Sequence, residues 1–519
     1  MPNPQAPFHP IIYVRGYAMT EHEQDETTAD PFNGFNLGST VYRATPDKDK
    51  PAKKFIFESP LLRLVSDHGY QDVYRNGFDI MDRDEWEGTL PSRSIVIYRY
   101  YDTASALLGS GKTPPITEFA RGLGELILRV RELVCADPDN GIAPADFRCY
   151  LVAHSMGGLV CRAFLQNPAL GDDEARQCVD KVFTYATPHN GIEIAGLNVP
   201  KWLSAADMNN FNRENMAQYL ALDDLYARTG RVDWLPESAF PSGSFFCMVG
   251  TNRADYEVAM GLSRAFAGHG SDGLVRIDNA SVWGVDAAGK VSAPSATAYA
   301  YRSHSGYFGI VNSEEAYQNL TRFLFGDIRI DIWVDIESVQ LPAAIQGKPV
   351  NALYQFELKA SPQGKRWYLT RRKAEEDSVA CRTYQDLTDP ARKEARSVFL
   401  SSVFLSNREQ HDPTLTYGLT LGVRAPDYEV ENRFWPDEHF EGGYLFQDAM
   451  AVRMIPPATD GGDWDICFDW QSDNMGAASR PLSYRTLKSG KLQMAIPFGG
   501  SGAPGIAGKL RFVASAWNA

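Results

Sequence analysis

The sequence predicts an α/β domain, with a mostly parallel central sheet flanked by helices, followed by a C-terminal all-β sandwich-like domain. Up to about residue 327 short apolar runs alternate with helical patterns, and beyond it the hydrophobic period changes to two. Near the middle of the first part, one strand runs into a sharp turn and straight on into a helix. Alternating strands and helices build a parallel sheet covered on both faces, whereas period-two runs build half-buried antiparallel strands.

The strands expected in the first part are Ile11 to Tyr17, Ser94 to Tyr101, Arg148 to Ala153, Lys181 to Ala186, Phe245 to Gly250 and Ala298 to Arg302. The clearest helix is 116–134, where Phe119, Leu123, Ile127, Val130 and Val134 recur at steps of three or four and form one apolar stripe. From Ile328 to Ile336 apolar residues alternate with Arg329, Asp331, Trp333 and Asp335, and Tyr354 to Leu358 follows the same rule. Further runs at Tyr368–Thr370, Val398–Leu405, Thr414–Val423, Ala451–Ile455, Trp464–Trp470, Lys491–Pro497 and Lys509–Ala514 extend this to roughly eight or nine strands. The expected domains are therefore 1–327 and 328–519, within the two to four that 519 residues suggest at about 100–200 residues per domain.

Hydrophobic residues make up 44% of the chain and charged residues 22%, the usage of a soluble globular protein. No run approaches the roughly 18 apolar residues of a membrane span. The net charge of −14 disfavours nucleic acid and anionic lipid surfaces as nonspecific partners. Seven scattered cysteines without a C-x-x-C pair indicate neither a disulfide framework nor a zinc site. The opening Met-Pro-Asn-Pro-Gln-Ala-Pro-Phe-His-Pro lacks a basic n-region and an apolar h-region, so the expectation is a cytoplasmic protein. The alternatives are export without a signal or a trimmed leader. Glu21 to Asp30 reads as a charged surface loop.

The chemistry concentrates at Ala153-His154-Ser155-Met156-Gly157-Gly158. A small-x-Ser-x-Gly pattern arises by chance about 0.3 to 0.5 times in a chain of this length. Here the strand Arg148–Val152 leads into it and a helix ending at Pro168 follows, which makes it a strand–elbow–helix unit. Such an elbow strains the serine backbone and demands small residues two before and two after it, as Ala153 and Gly157 are.

This segment resembles the nucleophile elbow of α/β-hydrolases, bacterial lipases and esterases in particular, over roughly residues 8–326. The resemblance implies Ser155 as nucleophile, His304 as general base, and an acid lying between them in the chain. Asp272, in Ser271-Asp272-Gly273-Leu274-Val275, resembles the Asp-Gly-x-Val element of bacterial lipases; Asp255 is the other aspartate in a suitable loop, and His269 is the competing histidine. His154 is expected to point away across the elbow. His189 lies in a Pro-His-x-Gly element to which no chemistry is assigned.

The resemblance further implies an oxyanion hole from the backbone N–H groups of Met156 and Tyr17, with Arg15 standing where the family usually has histidine before Gly16. A cap or lid is expected at about 190–243, with Trp202, Leu203, Met208 and Phe211 as pocket candidates; Phe32, Phe35 and Tyr42 are candidates on the loop after Tyr17. The implied activity is serine-dependent hydrolysis of carboxylic esters, with an ester or lipid substrate, no cofactor and no catalytic metal. Interfacial phospholipase action, acyl transfer, and a non-catalytic binding role on the same scaffold are the alternatives. In the second domain Trp333, Trp367, Trp435, Trp464, Trp470 and Trp517 are either core or a sugar- or lipid-binding face. Asp331, Asp335 and Glu337 are either a solvated face or ligands for calcium.

Overall fold

The computed structural model describes residues 7–16, 39–43, 53–58, 60–73, 79–84, 86–98, 100, 114–194, 197–198, 208–253, 270–304, 309–406, 414–430, 438–455, 464–473 and 479–518. The chain divides into two compact units, Met1–Thr297 with Arg302–Leu320, and Ala298–Tyr301 with Thr321–Ala519. Asp255, His269, Phe32, Phe35, Trp435 and the Glu21–Asp30 run lie outside the described residues.

Strands β1 (Ile11–Val14), β2 (Gln71–Asp72), β3 (Ser94–Tyr98), β4 (Cys149–His154), β5 (Val179–Tyr185), β6 (Phe245–Gly250) and β7 (Ala296–Ala300) make a seven-stranded sheet in the order β7-β6-β5-β4-β1-β3-β2. The pairings β1–β3, β1–β4, β2–β3, β4–β5 and β5–β6 are all parallel. β1, β4 and β6 are buried along their whole length, which is why they read as unbroken apolar runs rather than alternating ones. Val14 lies beside both Ala153 and Tyr98, so the carboxyl ends of β1, β3 and β4 are level. The chain leaves β1 toward β3 but leaves β4 toward β5, and such a point of divergence opens a crevice outside the strand ends.

Of the helices, α1 is Pro60–His68, α2 is Ile116–Cys135 and α3 is Met156–Gln166. α2 buries the predicted stripe, and each of its large apolar side chains contributes about 1.5–3 kcal/mol on leaving water. All residues of α3 are buried, including Arg162 and Gln166. Between β5 and β6 the described insertion contains the turn Met208–Phe211, α4 (Arg213–Tyr219) and α5 (Asp223–Thr229). Asn212 caps α4, its Oδ1 accepting the amides of Glu214 and Asn215. A three-stranded sheet of Trp234–Pro236, Trp283–Val285 and Val291–Pro294 was not legible in the sequence. Helix α6 (Glu314–Phe325) starts after Ser313, whose Oγ accepts the Ala316 amide at 3.2 Å.

In the second unit the described strands pair antiparallel. Its strands are β8 (Ile328–Gln340), β9 (Val350–Pro362), β10 (Thr370–Arg372), β11 (Ala380–Thr383), β12 (Ser397–Leu405), β13 (Leu415–Val430), β14 (Glu438–Ile455), β15 (Asp465–Trp470), β16 (Arg480–Pro481), β17 (Tyr484–Thr486), β18 (Leu492–Gly499) and β19 (Gly505–Ala516). One sheet runs β12-β8-β19-β18-β17 and the other β10-β9-β13-β14-β15-β16, with β11 paired to β9. Both sheets contribute side chains to one apolar core, among them Ile332 and Val334 from β8, and Leu421 and Val423 from β13. That is a sandwich, with more strands than the eight or nine expected.

Contacts bear on two of the alternatives for this unit. Asp331 accepts from Arg329 and Ser402, Asp335 from Arg511 and Ser397, and Glu337 pairs with Lys509 at 2.6 Å. These carboxylates face cations and hydroxyls of their own sheet. Trp470 is buried in the core, Trp367 and Trp464 pack against it, and Trp517 donates to the Phe323 carbonyl at 2.6 Å. Among the described tryptophans of this unit, Trp470 is buried and Trp333, Trp367, Trp464 and Trp517 are half-buried.

Candidate active site

Strand β4 ends at His154, and the next residue, Ser155, has φ 52° and ψ −126°. A non-glycine residue in that region costs about 1–3 kcal/mol, so its surroundings must hold it there. The Ser155 amide donates to the Tyr185 carbonyl at 2.9 Å. Its carbonyl accepts the Gly158 amide at 3.1 Å and the Thr187 hydroxyl at 2.9 Å. Three glycines make the turn possible. A β-carbon on Gly157 would overlap the Val14 carbonyl and lie 2.6 Å from that of Arg15. One on Gly158 would strike Thr187, and one on Gly16 would overlap Ser155 Cβ.

Ser155, Asp272 and His304 are brought together. His304 Nε2 lies 3.0 Å from Ser155 Oγ, and His304 Nδ1 lies 3.0 Å from Asp272 Oδ2. A carboxylate only accepts, so Nδ1 carries the ring proton, and Nε2 of the neutral ring is left to accept from the serine hydroxyl. Asp272 is fixed from behind: its Oδ1 accepts the amides of Leu274 at 3.0 Å and Val275 at 2.8 Å. Its carbonyl accepts the His304 amide at 2.9 Å. Gly250, at the end of β6, lets this loop approach, because a β-carbon there would sit 2.8 Å from both Asp272 Cβ and the Arg302 carbonyl. The three residues are 6%, 1% and 2% exposed in the order Ser155, Asp272, His304, so charge developing among them would meet little water.

The Met156 amide opens helix α3, at the end where the helix dipole is positive. Tyr100 donates to the Arg15 carbonyl and pins the turn after β1. Tyr17 lies outside the described residues.

These features, a parallel sheet with helices upon it and a strained serine between β4 and α3 at the point where the connections diverge, decide the architecture. The first unit has an α/β-hydrolase fold. No protein-family model matches the chain, and no curated protein matches it in sequence. Among solved structures it is similar to a lipase of Bacillus licheniformis in mature form, at 13% identity over 63% of this chain and 94% of that one, with a TM-score of 0.29. It is also similar to the phospholipase PlaB of Legionella pneumophila in complex with thio-NAD, at 13% identity over 83% and 89%, TM-score 0.30. A third is the lin2722 gene product of Listeria innocua, at 10% identity over 61% and 93%, TM-score 0.24.

Within the hydrolase-fold unit the remaining expectations divide. Trp202 and Leu203 lie outside the described residues, as do the side chains of Met208 and Tyr42. Phe211 is buried, and Asn210 beside it reaches to 3.9 Å from the Met156 sulfur, which sets this turn next to the elbow. His189 is wholly buried, with Nε2 3.2 Å from Thr184 Oγ1, and burial holds it well below the usual imidazole range. Its carbonyl accepts Arg162 of α3 at 2.9 Å. Thr187 was missed by sequence reasoning, since nothing local marks a threonine whose hydroxyl supports a carbonyl 32 residues away. Among the described residues no group of His, Cys, Asp and Glu is placed to hold a metal ion, and no helix is long and apolar enough to cross a membrane.

Proposed function

We propose that the protein is a serine hydrolase acting on carboxylic esters, including those of lipids. The observation that carries this reading is the hydrogen-bonded chain from Ser155 Oγ through the His304 ring to Asp272, built on a serine held at φ 52°. In this reading His304 takes the hydroxyl proton as Ser155 Oγ bonds to the ester carbonyl carbon. The resulting oxyanion is met by the Met156 amide and, as the resemblance implies, by that of Tyr17. Collapse expels the alcohol, which receives the proton from His304 and leaves Ser155 acylated. Water then repeats the cycle, with His304 again as base, and frees the acid. Asp272 holds the ring in the Nδ1–H tautomer and stabilises the imidazolium formed in each half-reaction.

The experiment is a series of p-nitrophenyl esters from acetate to palmitate, with Ser155→Ala as control. The reading requires turnover by the parent and a loss of at least about 10³-fold in the variant. A rate that peaks at long chains assigns lipid esters; one that peaks at acetate or butyrate assigns small soluble esters. Equal rates for parent and variant would overturn the role given to Ser155.

A further inference from the structure

His154, the last residue of β4, is buried, and its Nε2 lies 2.9 Å from the backbone carbonyl oxygen of His304. The two rings pass with centroids 5.0 Å apart at 45°. A carbonyl oxygen has no proton to give, so Nε2 of His154 must be the donor and its neutral ring must be the Nε2–H tautomer. The peptide of His304 is thus held from both ends: its amide by the Asp272 carbonyl, its carbonyl by the residue that precedes the nucleophile.

We infer that His154 is a positioning residue for the general base. Its Nε2–H ties the His304 backbone to β4, so that the strand carrying Ser155 also sets where the His304 ring stands. This rests on the serine-hydrolase reading above. Two facts favour it over plain packing. The tie crosses 150 residues to reach the one loop whose placement fixes the 3.0 Å contact between Nε2 of His304 and Ser155 Oγ. A neutral ring is also the only form of histidine that suits a neighbour which must become an imidazolium during turnover. Burial opposes protonation of His154 most, the charges of the His304 and Arg15 side chains oppose it further, and the bond to the His304 carbonyl works the other way without outweighing them.

The test compares His154→Phe, which keeps a ring and removes the donor, with His154→Gln, whose amide Nε2 can reach the same carbonyl. On the best ester of the series, His154→Phe is expected to lower kcat by about 10- to 100-fold with KM within about twofold, as a small displacement of a catalytic group does. His154→Gln is expected to restore kcat to within about threefold of the parent. Equal kcat in the parent and His154→Phe, or a Gln variant as slow as the Phe variant, overturns the inference while leaving the reading of Ser155 intact. Loss of activity in the parent itself would strike that reading instead. Long-range 1H–15N spectra of 15N-histidine-labelled parent, with the His154 signal assigned by its absence from His154→Gln, need no folded Phe variant. A ring protonated on Nε2 alone at neutral pH is expected, and an Nδ1–H tautomer or an imidazolium there overturns the inference.

Discussion

Gly16 lies so close to Ser155 that a methyl group on its α-carbon would overlap Ser155 Cβ and stand 2.8 Å from the His154 carbonyl oxygen. The turn that follows β1 and the elbow that follows β4 are therefore fitted to each other backbone against side chain. Gly16→Ala is expected to push the two apart, at a cost of about 1–3 kcal/mol in stability and a larger loss of ester turnover, of order 100-fold. Thermal melting and kcat on one ester check both. A variant as active as the parent would mean that the turn relaxes without disturbing the serine.

Arg162 is the next point of leverage. Fully buried on α3, it donates to the carbonyls of His189, Val232 and Trp234 and to Gln166 Oε1, and so ties the helix that follows Ser155 to the start and end of the insertion. Burial lowers its pKa to about 10, which leaves it charged at neutral pH. Arg162→Met would strand these acceptors away from water, and a loss of about 3 kcal/mol or more is expected in urea unfolding.

Stability should fall on the acid side through buried histidines. Burial foremost, helped by His304 for His154 and by Arg162 for His189, holds both rings well below the usual 6.5. Burial likewise brings His9 down to about 4. As pH falls through 6.5 the unfolded chain binds protons that the native chain refuses, so the native state is favoured most above 6.5 and loses ground steadily toward pH 4. Melting temperatures at pH 7.5 and 5.0 should differ in that sense, and His189→Gln should narrow the gap. Equal melting temperatures at the two pH values would contradict the burial of these rings.

In the sandwich a cavity of about 40 Å³ lies between the sheets, lined by apolar side chains such as Val403, Leu419 and Met494 and by Tyr417. Val403→Ile adds one methylene group toward this space and is expected to raise stability by about 0.5–1 kcal/mol, read as a shift in the urea midpoint at constant slope. A lower midpoint would show that the cavity cannot admit the added carbon.

Much of the fold was legible because its central strands are buried on both faces and its sandwich strands on one, two patterns that composition along the chain displays directly. Ends were less legible: the run expected at Ala298–Arg302 is paired over Ala296–Ala300, and β14 begins at Glu438 rather than near Ala451. Its first half holds Gly442, Gly443 and several polar residues, and it is a strand because β13 pairs with it from Val430↔Glu438 onward, with one register shift between Arg424 and Val423. Tertiary pairing outweighs local pattern there. At the candidate site, Ser155, Asp272 and His304 stand out through local motifs and their order in the chain. Their mutual distances, the support from Thr187, the bare face of Gly250 and the reach of His154 depend on contacts between residues far apart in the chain, up to 150 positions for His154, which no local pattern records.

The central claim is that Ser155 is a nucleophile made reactive by its neighbours. A fluorophosphonate, which reacts with an activated serine as an ester does but cannot be released by water, tests this without knowledge of the substrate. Intact-protein mass spectrometry should find one adduct per chain, mapped by peptide sequencing to Ser155, absent in Ser155→Ala and formed far more slowly in His304→Ala. An unlabelled parent, or an adduct on another residue that persists in Ser155→Ala, would contradict the account.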